Sequence, residues 1–332
     1  MPQSPRRAAH RRARPLPLWL ALGGAAVALA VALAPAVAVR TQKPPLHAQK
    51  WLAITGKPLA ATAGAKMFEK GGNAVDAACA MLAATSTMWD TLGWGGETQA
   101  LVWNPKTGKV IGVNALGVAG SGATPEAYKA KGFRYPPEYG PLAAVTPGTP
   151  GGLVTMLAEW GRLSLAEVLA PAIEMADGFP IEAQLADTIA RHQERLRGWP
   201  FSKSVFLPHP DRTRQAPDAG QIFRQPDLAA TLRKLGEAEQ KALAAGKSRK
   251  EAILAAGDRF YRGDLAAEFV AAARAEGALF TEDDLAKWQV KFEEPVTVDY
   301  KGIQVAKLTT WTQGPALLQA LNLLENVDLK GM

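Results

Sequence analysis

Three short glycine-containing blocks constrain the fold of this chain more than any other feature. They are residues 70–78 (KGGNAVDAA), 93–97 (GWGGE) and 146–152 (TPGTPGG). Residues 59–70 carry apolar side chains at helical spacing, and Gly71 predicts the end of that helix. Asn73 is suited to cap a second helix over residues 74–87, which is almost wholly small and apolar. The blocks therefore indicate places where glycine lies at the start or end of a helix or strand.

Two pairs of strands are expected. Residues 99–103 and 110–113 alternate around a turn, and residues 296–300 and 303–308 form a second pair of the same kind. Residues 93–96 lead into the first pair, and their spacing is not that of a phosphate-binding loop. We therefore interpret residues 93–96 as a tight turn.

Most of the chain after Gly152 is predicted to be helical. Capping boxes, each with an acidic partner three residues later, predict helices that begin after Ser164, Ser248 and Thr281. A last helix is expected over residues 314–326, and residues 237–250, rich in alanine, lysine and glutamate, suggest a solvated helical excursion. Together with the strands, these elements favour an α+β fold.

Length and charge exclude several classes of protein. With 332 residues, of which 48% are hydrophobic, the chain can bury a large core as one large domain or two modest ones. The formal net charge is +7, but five arginines within residues 1–14 supply most of it and leave 33 basic against 31 acidic residues. No basic stripe remains, so nucleic-acid binding is not expected.

The five arginines precede an apolar, uncharged run over residues 16–39 that contains the small-residue sequence Ala36-Val37-Ala38. This order is typical of an export signal, and the run is also long enough to cross a bilayer uncut. We expect residues 1–38 to be a signal peptide or membrane anchor, residues 39–50 a linker and residues 51–332 the folded domain. The protein would then be periplasmic or secreted, with an inner-membrane anchor as the alternative, and would meet the membrane only through residues 16–39.

A search for catalytic chemistry is mostly negative. The four histidines are scattered without metal-ligand spacing, and no G-x-S-x-G sequence is present, so no metal, cofactor or serine triad is predicted. Cys79 lies in an apolar helical run, where a core role is expected. The adjacent pairs Asp283-Asp284 and Glu293-Glu294 diverge in direction, which favours solvated faces.

A threonine at a new amino terminus can act as a nucleophile by using its own amine as the base. Cleavage before Thr309 would release only 24 residues, too few for half of a core. We therefore interpret Thr309-Thr310 as a loop between a strand and a helix, and predict no catalytic residue in this chain.

From about residue 49 to residue 326, the chain resembles the large subunit of the γ-glutamyltransferase family. The resemblance rests on the three glycine blocks and on five further blocks in the same order: TPEAY (124–128), LAPAI (169–173), ADGFP (176–180), FYRGDLA (260–266) and LQALNLLE (318–325). It implies an N-terminal-nucleophile hydrolase, a four-layer αββα sandwich of which this chain is the incomplete, large-subunit half.

The resemblance also implies the chemistry and the partner. In the family, the nucleophile is a threonine at the amino terminus of a small subunit released by self-cleavage, and we expect this chain to end before it. The expected activity is transfer or hydrolysis of γ-glutamyl amides such as glutathione. The implied partners are that small-subunit half and a small-molecule amide.

One position departs from the family. An arginine that receives the substrate α-carboxylate in relatives is replaced here by Leu116, which follows Asn114; both are predicted substrate-binding positions. A charge-assisted contact is worth about 1.5–3 kcal/mol, so its loss should weaken α-carboxylate recognition by at least ~10-fold. Two alternatives therefore stay open: an acylase of the same fold, acting on glutaryl or β-lactam side chains, and a non-catalytic exported scaffold or binding domain.

Overall fold

The computed structural model describes residues 46–88 and 92–332. Helix α1 (Pro58–Glu69) and helix α2 (Ala74–Met88) pack against each other through small side chains. Gly71 lies in the left-handed region (φ +83°), which favours glycine, and Asn73 Oδ1 accepts the Val75 N–H at 2.8 Å. The predicted helix stop and the predicted cap are both confirmed.

Strands β1 (Thr98–Asn104) and β2 (Lys109–Ala115) form the first antiparallel hairpin. Successive residues of a strand point to opposite faces, so Val113 and Ala115 share the face that packs toward the helices, and both are fully buried. Gly112 and Asn114 lie on the other face. The predicted strand–turn–strand pattern is therefore confirmed.

A helical region with two short strands follows the hairpin. Its elements are α3 (Pro125–Ala130), a 3₁₀ turn (Pro141–Ala143), α4 (Thr149–Trp160), α5 (Leu165–Asp177), β3 (Phe179–Pro180), α6 (Ala183–Arg197), α7 (Pro200–Phe206), β4 (Ile222–Phe223), α8 (Pro226–Ala244), α9 (Arg249–Arg262), α10 (Asp264–Ala275) and α11 (Glu282–Lys287). The centre of the core lies where α2 packs on α4 and α5, while α9 packs on α4 and α8.

The carboxyl-terminal part returns to the sheet. Strand β5 (Lys291–Glu293) pairs with β2, giving the order β1-β2-β5, and β6 (Val296–Tyr300) pairs with β7 (Ile303–Lys307). Helix α12 (Gly314–Leu324) packs on this second hairpin. The combination of helices and antiparallel strands agrees with the expected α+β class. The loop predicted around Thr309 is also confirmed, and it lies between β7 and α12.

The three predicted capping boxes are confirmed. Ser164, Ser248 and Thr281 each accept the backbone N–H three residues later, and the acidic side chain there reaches back. These caps satisfy backbone donors that a helix start would otherwise leave without partners.

Asp76 is fully buried and holds the turn between α4 and α5. Its carboxylate accepts the N–H groups of Asn73 (2.7 Å), Arg162 (2.9 Å) and Leu163 (3.0 Å). A buried carboxylate is tolerated when several donors compensate for its lost hydration. The most conspicuous block of the sequence therefore has a structural role: it fastens the start of α2 to the α4–α5 turn.

The expectation that residues 237–250 form a solvated excursion is wrong. Glu239 on α8 is only 1% exposed, and its two carboxylate oxygens accept the N–H groups of Leu165 (2.7 Å) and Ala166 (3.0 Å). The Arg249 guanidinium donates to the carbonyl oxygens of Leu157 and Leu163. Two charged residues of this segment thus reach inward and, like Asp76, bind the α4–α5 turn and the start of α5.

The predicted signal or anchor over residues 1–38, and the membrane contact through residues 16–39, lie outside the described residues. Within the described part of the chain, no helix is long and apolar enough to cross a membrane. Residues Lys50–Met332 form one compact unit.

Candidate substrate-binding site

A cleft of about 340 Å³ opens where strand β2 ends. Its wall combines residues that follow β2, the end of α11 and the start of β5; those used below are Asn114, Leu116, Val118, Lys287, Trp288 and Lys291. A volume of this size lies at the lower end of the range for small-molecule sites. The two sequence-predicted residues, Asn114 and Leu116, both line this cleft, and their role in substrate binding stays a prediction.

Trp288 forms the back wall of the cleft. Its indole Nε1 donates to the Leu116 carbonyl oxygen at 3.0 Å, and its ring stacks on Tyr261 with a centroid distance of 4.9 Å. The Tyr261 hydroxyl donates to the Pro147 carbonyl oxygen at 2.6 Å and accepts the Gly151 N–H at 3.0 Å. The tryptophan is thus fixed between β2 and the 146–152 block.

Glycine at position 151 makes this arrangement possible. A Cβ atom on Gly151 would overlap the six-membered ring of Trp288 and lie 2.9 Å from the Tyr261 hydroxyl oxygen. Gly148 is equally constrained, because a Cβ atom there would overlap the Ala115 carbonyl oxygen. The third glycine block therefore lets a backbone segment pass close behind the cleft.

Asn114 organises the cleft through its own hydrogen bonds. Its side-chain oxygen accepts the Leu116 N–H at 3.1 Å, and its amide group donates to the Glu293 carboxylate. Asn114 lies directly opposite Lys291 in the β2–β5 register. We therefore assign Asn114 the task of setting the backbone of Leu116, with Lys291 as its neighbour on the same face of the sheet.

Glu293 fastens the loop between β7 and α12 to the sheet. Its carboxylate accepts the Trp311 indole N–H at 2.9 Å and both the N–H and hydroxyl of Thr309 at 3.2 Å. Burial raises the pKa of this carboxyl, but the hydrogen bonds from Trp311, Thr309 and Asn114 outweigh burial and hold the pKa below 4.5. The interpretation of Glu293 as part of a solvated face is wrong.

Asp284 is likewise an internal acceptor. It takes hydrogen bonds from the N–H and hydroxyl of Ser121, each at 3.0 Å, and from the Thr281 N–H at 2.8 Å. Burial raises the pKa of its carboxyl, yet these hydrogen bonds prevail and keep the pKa below 3.8. The solvated-face interpretation is therefore wrong for Asp284 too, although its neighbour Asp283 is exposed.

Two ammonium groups face the cleft. Lys287 forms an ion pair with Asp283 at 2.9 Å, and this hydrogen bond and charge raise the pKa of Lys287. The Lys291 side chain forms no ion pair or hydrogen bond with any residue in the described part of the chain. The cleft thus offers the ammonium groups of Lys287 and Lys291, and the Asp284 carboxylate held at Oδ2 by Ser121 and Thr281, beside the apolar side chains of Leu116 and Val118.

None of the described residues that line the cleft carries a hydroxyl or a thiol. Cys79 lies elsewhere, fully buried in α2, where burial strongly raises the pKa of its thiol. The expected core role of Cys79 is confirmed. The two lysines allow the cleft to bind a small anionic molecule.

The interpretation of residues 93–96 as a tight turn is confirmed. The Gly96 N–H donates to the Gly93 carbonyl oxygen at 2.9 Å, and the Gly96 carbonyl oxygen accepts the N–H groups of Gly148 (2.7 Å) and Thr149 (2.9 Å). The second glycine block thus joins the third. No cluster of histidine, cysteine and acidic side chains within residues 46–88 and 92–332 could hold a metal ion.

A second concave feature involves strand β1. A groove of about 340 Å³ runs between β1, β7 and α12, and Leu101 and Leu317 both line it. Large apolar side chains stay exposed on these same elements, among them Trp103 (60%), Ile303 (65%) and Leu323 (69%). Exposed apolar surface of this extent is typical of a protein–protein contact.

Sequence reasoning predicted Asn114 and Leu116, which line the cleft, but did not single out Trp288, Lys287 and Lys291, which line it too. The only local signal was a strand start near residue 291, directly after the helix that Thr281 caps. The pairing of Lys291 with Asn114 depends on a register between segments 177 positions apart, which local pattern does not encode.

Comparison with known proteins gives a consistent result. The family model described as gamma-glutamyltranspeptidase matches residues 60–332. The glutathione hydrolase-like YwrD proenzyme of Bacillus subtilis is 33% identical over 282 residues, covering 84% of this chain and 49% of that protein. The oxamate amidohydrolase proenzyme of Klebsiella pneumoniae is 32% identical, covering 84% of this chain and 50% of that protein. The chain thus spans about half the length of these curated relatives.

Solved structures agree with the sequence matches. The γ-glutamyltranspeptidase of Helicobacter pylori superposes with a TM-score of 0.76 at 29% identity, covering 87% of this chain and 78% of that chain. A cephalosporin acylase from Bacillus halodurans superposes with a TM-score of 0.72 at 32% identity, covering 88% of this chain and 53% of that chain. Both comparisons support the expected N-terminal-nucleophile hydrolase fold and the large-subunit portion of it.

Proposed function

Because the chain belongs to the gamma-glutamyltranspeptidase family, we propose that it is the large-subunit portion of an enzyme that cleaves amides by acyl transfer. In this proposal the nucleophile is the amino-terminal threonine of a small-subunit half. The threonine attacks the amide carbonyl, the amine leaves, and the resulting acyl-enzyme is resolved by water or by an acceptor amine.

The observation that carries the proposal is the exposed apolar face formed by β1, the second hairpin and α12. Trp103, Ile303 and Leu323 are each more than half exposed on these elements. A second half of the sandwich packed on this face would bury these side chains and could bring a nucleophile to the cleft. The word proenzyme in the names of several relatives supports a precursor that is processed into parts.

The substrate follows from the wall of the cleft. γ-Glutamyl amides such as glutathione are the first candidates, because two of the curated relatives are glutathione hydrolase proenzymes of Bacillus subtilis and Escherichia coli. Leu116 favours a second candidate, an acylase acting on other amides such as glutaryl side chains, since a leucine cannot form the forked ion pair that an arginine gives a carboxylate. The acylase ACY 1 proenzyme of a Pseudomonas strain, 29% identical, supports that second candidate.

The test is an assay of the processed two-part protein with γ-glutamyl p-nitroanilide and glutaryl p-nitroanilide. We expect turnover to require processing and to be abolished when the small-subunit threonine is replaced by alanine. Faster turnover of the glutaryl compound would select the acylase, and faster turnover of the γ-glutamyl compound the transferase. A processed protein that turns over neither compound would support the non-catalytic scaffold instead.

We further propose export to the periplasm or the medium, directed by residues 1–38. The support is the order of arginines, apolar run and small residues in the sequence. A fusion of residues 1–50 to alkaline phosphatase should be active only outside the cytoplasm, and a fusion of residues 40–50 alone should be inactive. Equal activity of both fusions would contradict export by this segment.

A further inference from the structure

Lys291 is placed to select the substrate. It begins β5, directly opposite Asn114, and the side chains of directly paired residues lie about 4.5–5.5 Å apart at their Cβ atoms. Its ammonium group can therefore reach the space in front of Leu116, which is 36% exposed in the cleft.

Of the two lysines among the described residues that line the cleft, Lys291 is the one whose ammonium group has no ion-pair partner in the described part of the chain. Lys287 is engaged by Asp283, and Oδ2 of the Asp284 carboxylate accepts hydrogen bonds from Ser121 and Thr281. A substrate ammonium entering the cleft would meet the positive charges of Lys287 and Lys291, and also the Asp284 carboxylate, whose hydrogen bonds from Ser121 and Thr281 all go to Oδ2. A substrate carboxylate would meet Lys291 with no competing partner.

We propose that Lys291 is a specificity-determining residue that binds the anionic end of the acyl group. This inference rests on the proposed amide-cleaving function and extends it to the class of acyl chain. The preferred acyl group ends in a carboxylate and lies along Leu116 and Val118. The charge that recognises this carboxylate is on β5, the strand that pairs with β2, and Leu116 directly follows β2.

A lysine gives a different kind of recognition from an arginine. Its ammonium is a point charge on a flexible stem, so it accepts carboxylates at varied distance and angle, whereas an arginine imposes a planar fork. We therefore expect the cleft to tolerate acyl chains one methylene shorter or longer than glutaryl. This tolerance gives a readout that a purely structural lysine would not affect.

The first experiment compares kinetic constants of the processed protein and its variants with glutaryl and butyryl p-nitroanilide. Butyryl has the same apolar stem but no terminal carboxylate. Loss of one charge-assisted contact should raise the KM of Lys291→Gln for the glutaryl compound about tenfold, with kcat nearly unchanged. The butyryl constants should not change, and Lys291→Arg should restore most of the glutaryl KM.

The matched control is Lys241→Gln. Lys241 is an exposed lysine on α8, a helix that does not line the cleft. The substitution should leave every constant within about twofold of the unaltered protein. A lysine at a sheet edge can instead serve only to prevent edge-to-edge association. In that case Lys291→Gln would leave the glutaryl KM unchanged, and the proposal would be refuted while amide cleavage still stood.

A second measurement does not depend on turnover. Trace acetylation with acetic anhydride, followed by peptide mass spectrometry, reports the accessibility of each lysine in the native protein. Millimolar glutarate should lower the labelling of Lys291 at least threefold and leave Lys241 unaffected, while butyrate should protect neither. Equal labelling of Lys291 with and without glutarate would overturn the assignment, even in a protein that proves to be non-catalytic.

Discussion

Replacing Glu239 by glutamine tests the view that residues 237–250 hold the core together. The two carboxylate oxygens of Glu239 accept the first two N–H groups of α5, at Leu165 and Ala166. The Ser164 hydroxyl oxygen accepts the third N–H group, that of Glu167. Side chains therefore satisfy all of the first three N–H donors of this helix. A glutamine can satisfy only one of the two donors bound by Glu239, and its amide group would point an N–H at the other.

The expected loss can be estimated from the geometry. A hydrogen bond to a charged group contributes about 1.5–3 kcal/mol, and a buried N–H without a partner costs about 1–3 kcal/mol. These two contributions overlap, so we expect Glu239→Gln to lower the free energy of unfolding by about 2–4 kcal/mol. With a urea m-value of about 3 kcal/mol/M, the unfolding midpoint should fall by roughly 1 M.

The assay is urea unfolding followed by far-ultraviolet circular dichroism, with Glu237→Gln as the matched control. Glu237 lies on the same helix, two residues away, but its side chain is 65% exposed and its ion pair with Arg259 is long, at 3.4 Å. An exposed pair of this kind contributes about 0–1 kcal/mol, so the control midpoint should hardly move. Equal midpoints for Glu239→Gln and Glu237→Gln would refute the reasoning, because they would place both carboxylates in solvent.

Three further predictions concern other parts of the structure. Cys79, with its raised thiol pKa, should resist iodoacetamide in the native protein and react fully in urea, and rapid native labelling would contradict its burial. The pKa of the Glu293 carboxyl is lowered in the folded protein. Its stabilising contribution is therefore present above pH 4.5 and is lost as the pH falls through the lower pKa of the folded state. Glu293→Gln should accordingly flatten the acid side of a plot of the free energy of unfolding against pH. Gly151→Ala should displace Trp288 and cost about 1–3 kcal/mol in urea unfolding, whereas Gly95→Ala, where a Cβ atom meets nothing within 4 Å, should be neutral.

Local sequence patterns predicted the elements of this fold well. The helix stop at Gly71, the cap at Asn73 and the three capping boxes depend on backbone donors within four residues, so they can be read from neighbouring positions. The hairpin of β1 and β2 and the hairpin of β6 and β7 depend on short turns for the same reason.

Contacts between distant segments could not be predicted in this way. The composition of residues 237–250 is that of a solvated helix, and only the packing of α8 against α5 reveals that Glu239 points inward while Glu237 does not. Glu293 similarly has the composition of a solvated pair with Glu294, yet strand pairing brings it to Asn114 and Trp311. Such roles depend on which segments meet, and a single sequence without packing information does not specify that.

The cleft and the apolar face are joined by one chain of hydrogen bonds. Trp311 and Thr309, which lie between β7 and α12, donate to Glu293; Glu293 accepts from Asn114; and Asn114 holds the backbone of Leu116. The groove on the apolar face is lined by residues directly before and after the same loop, from β7 and α12. Burial of that face would restrict the loop, and through Glu293 and Asn114 it would also restrict the wall of the cleft. The loop between β7 and α12 is thus linked through Glu293 and Asn114 to the backbone of Leu116 in the wall of the cleft.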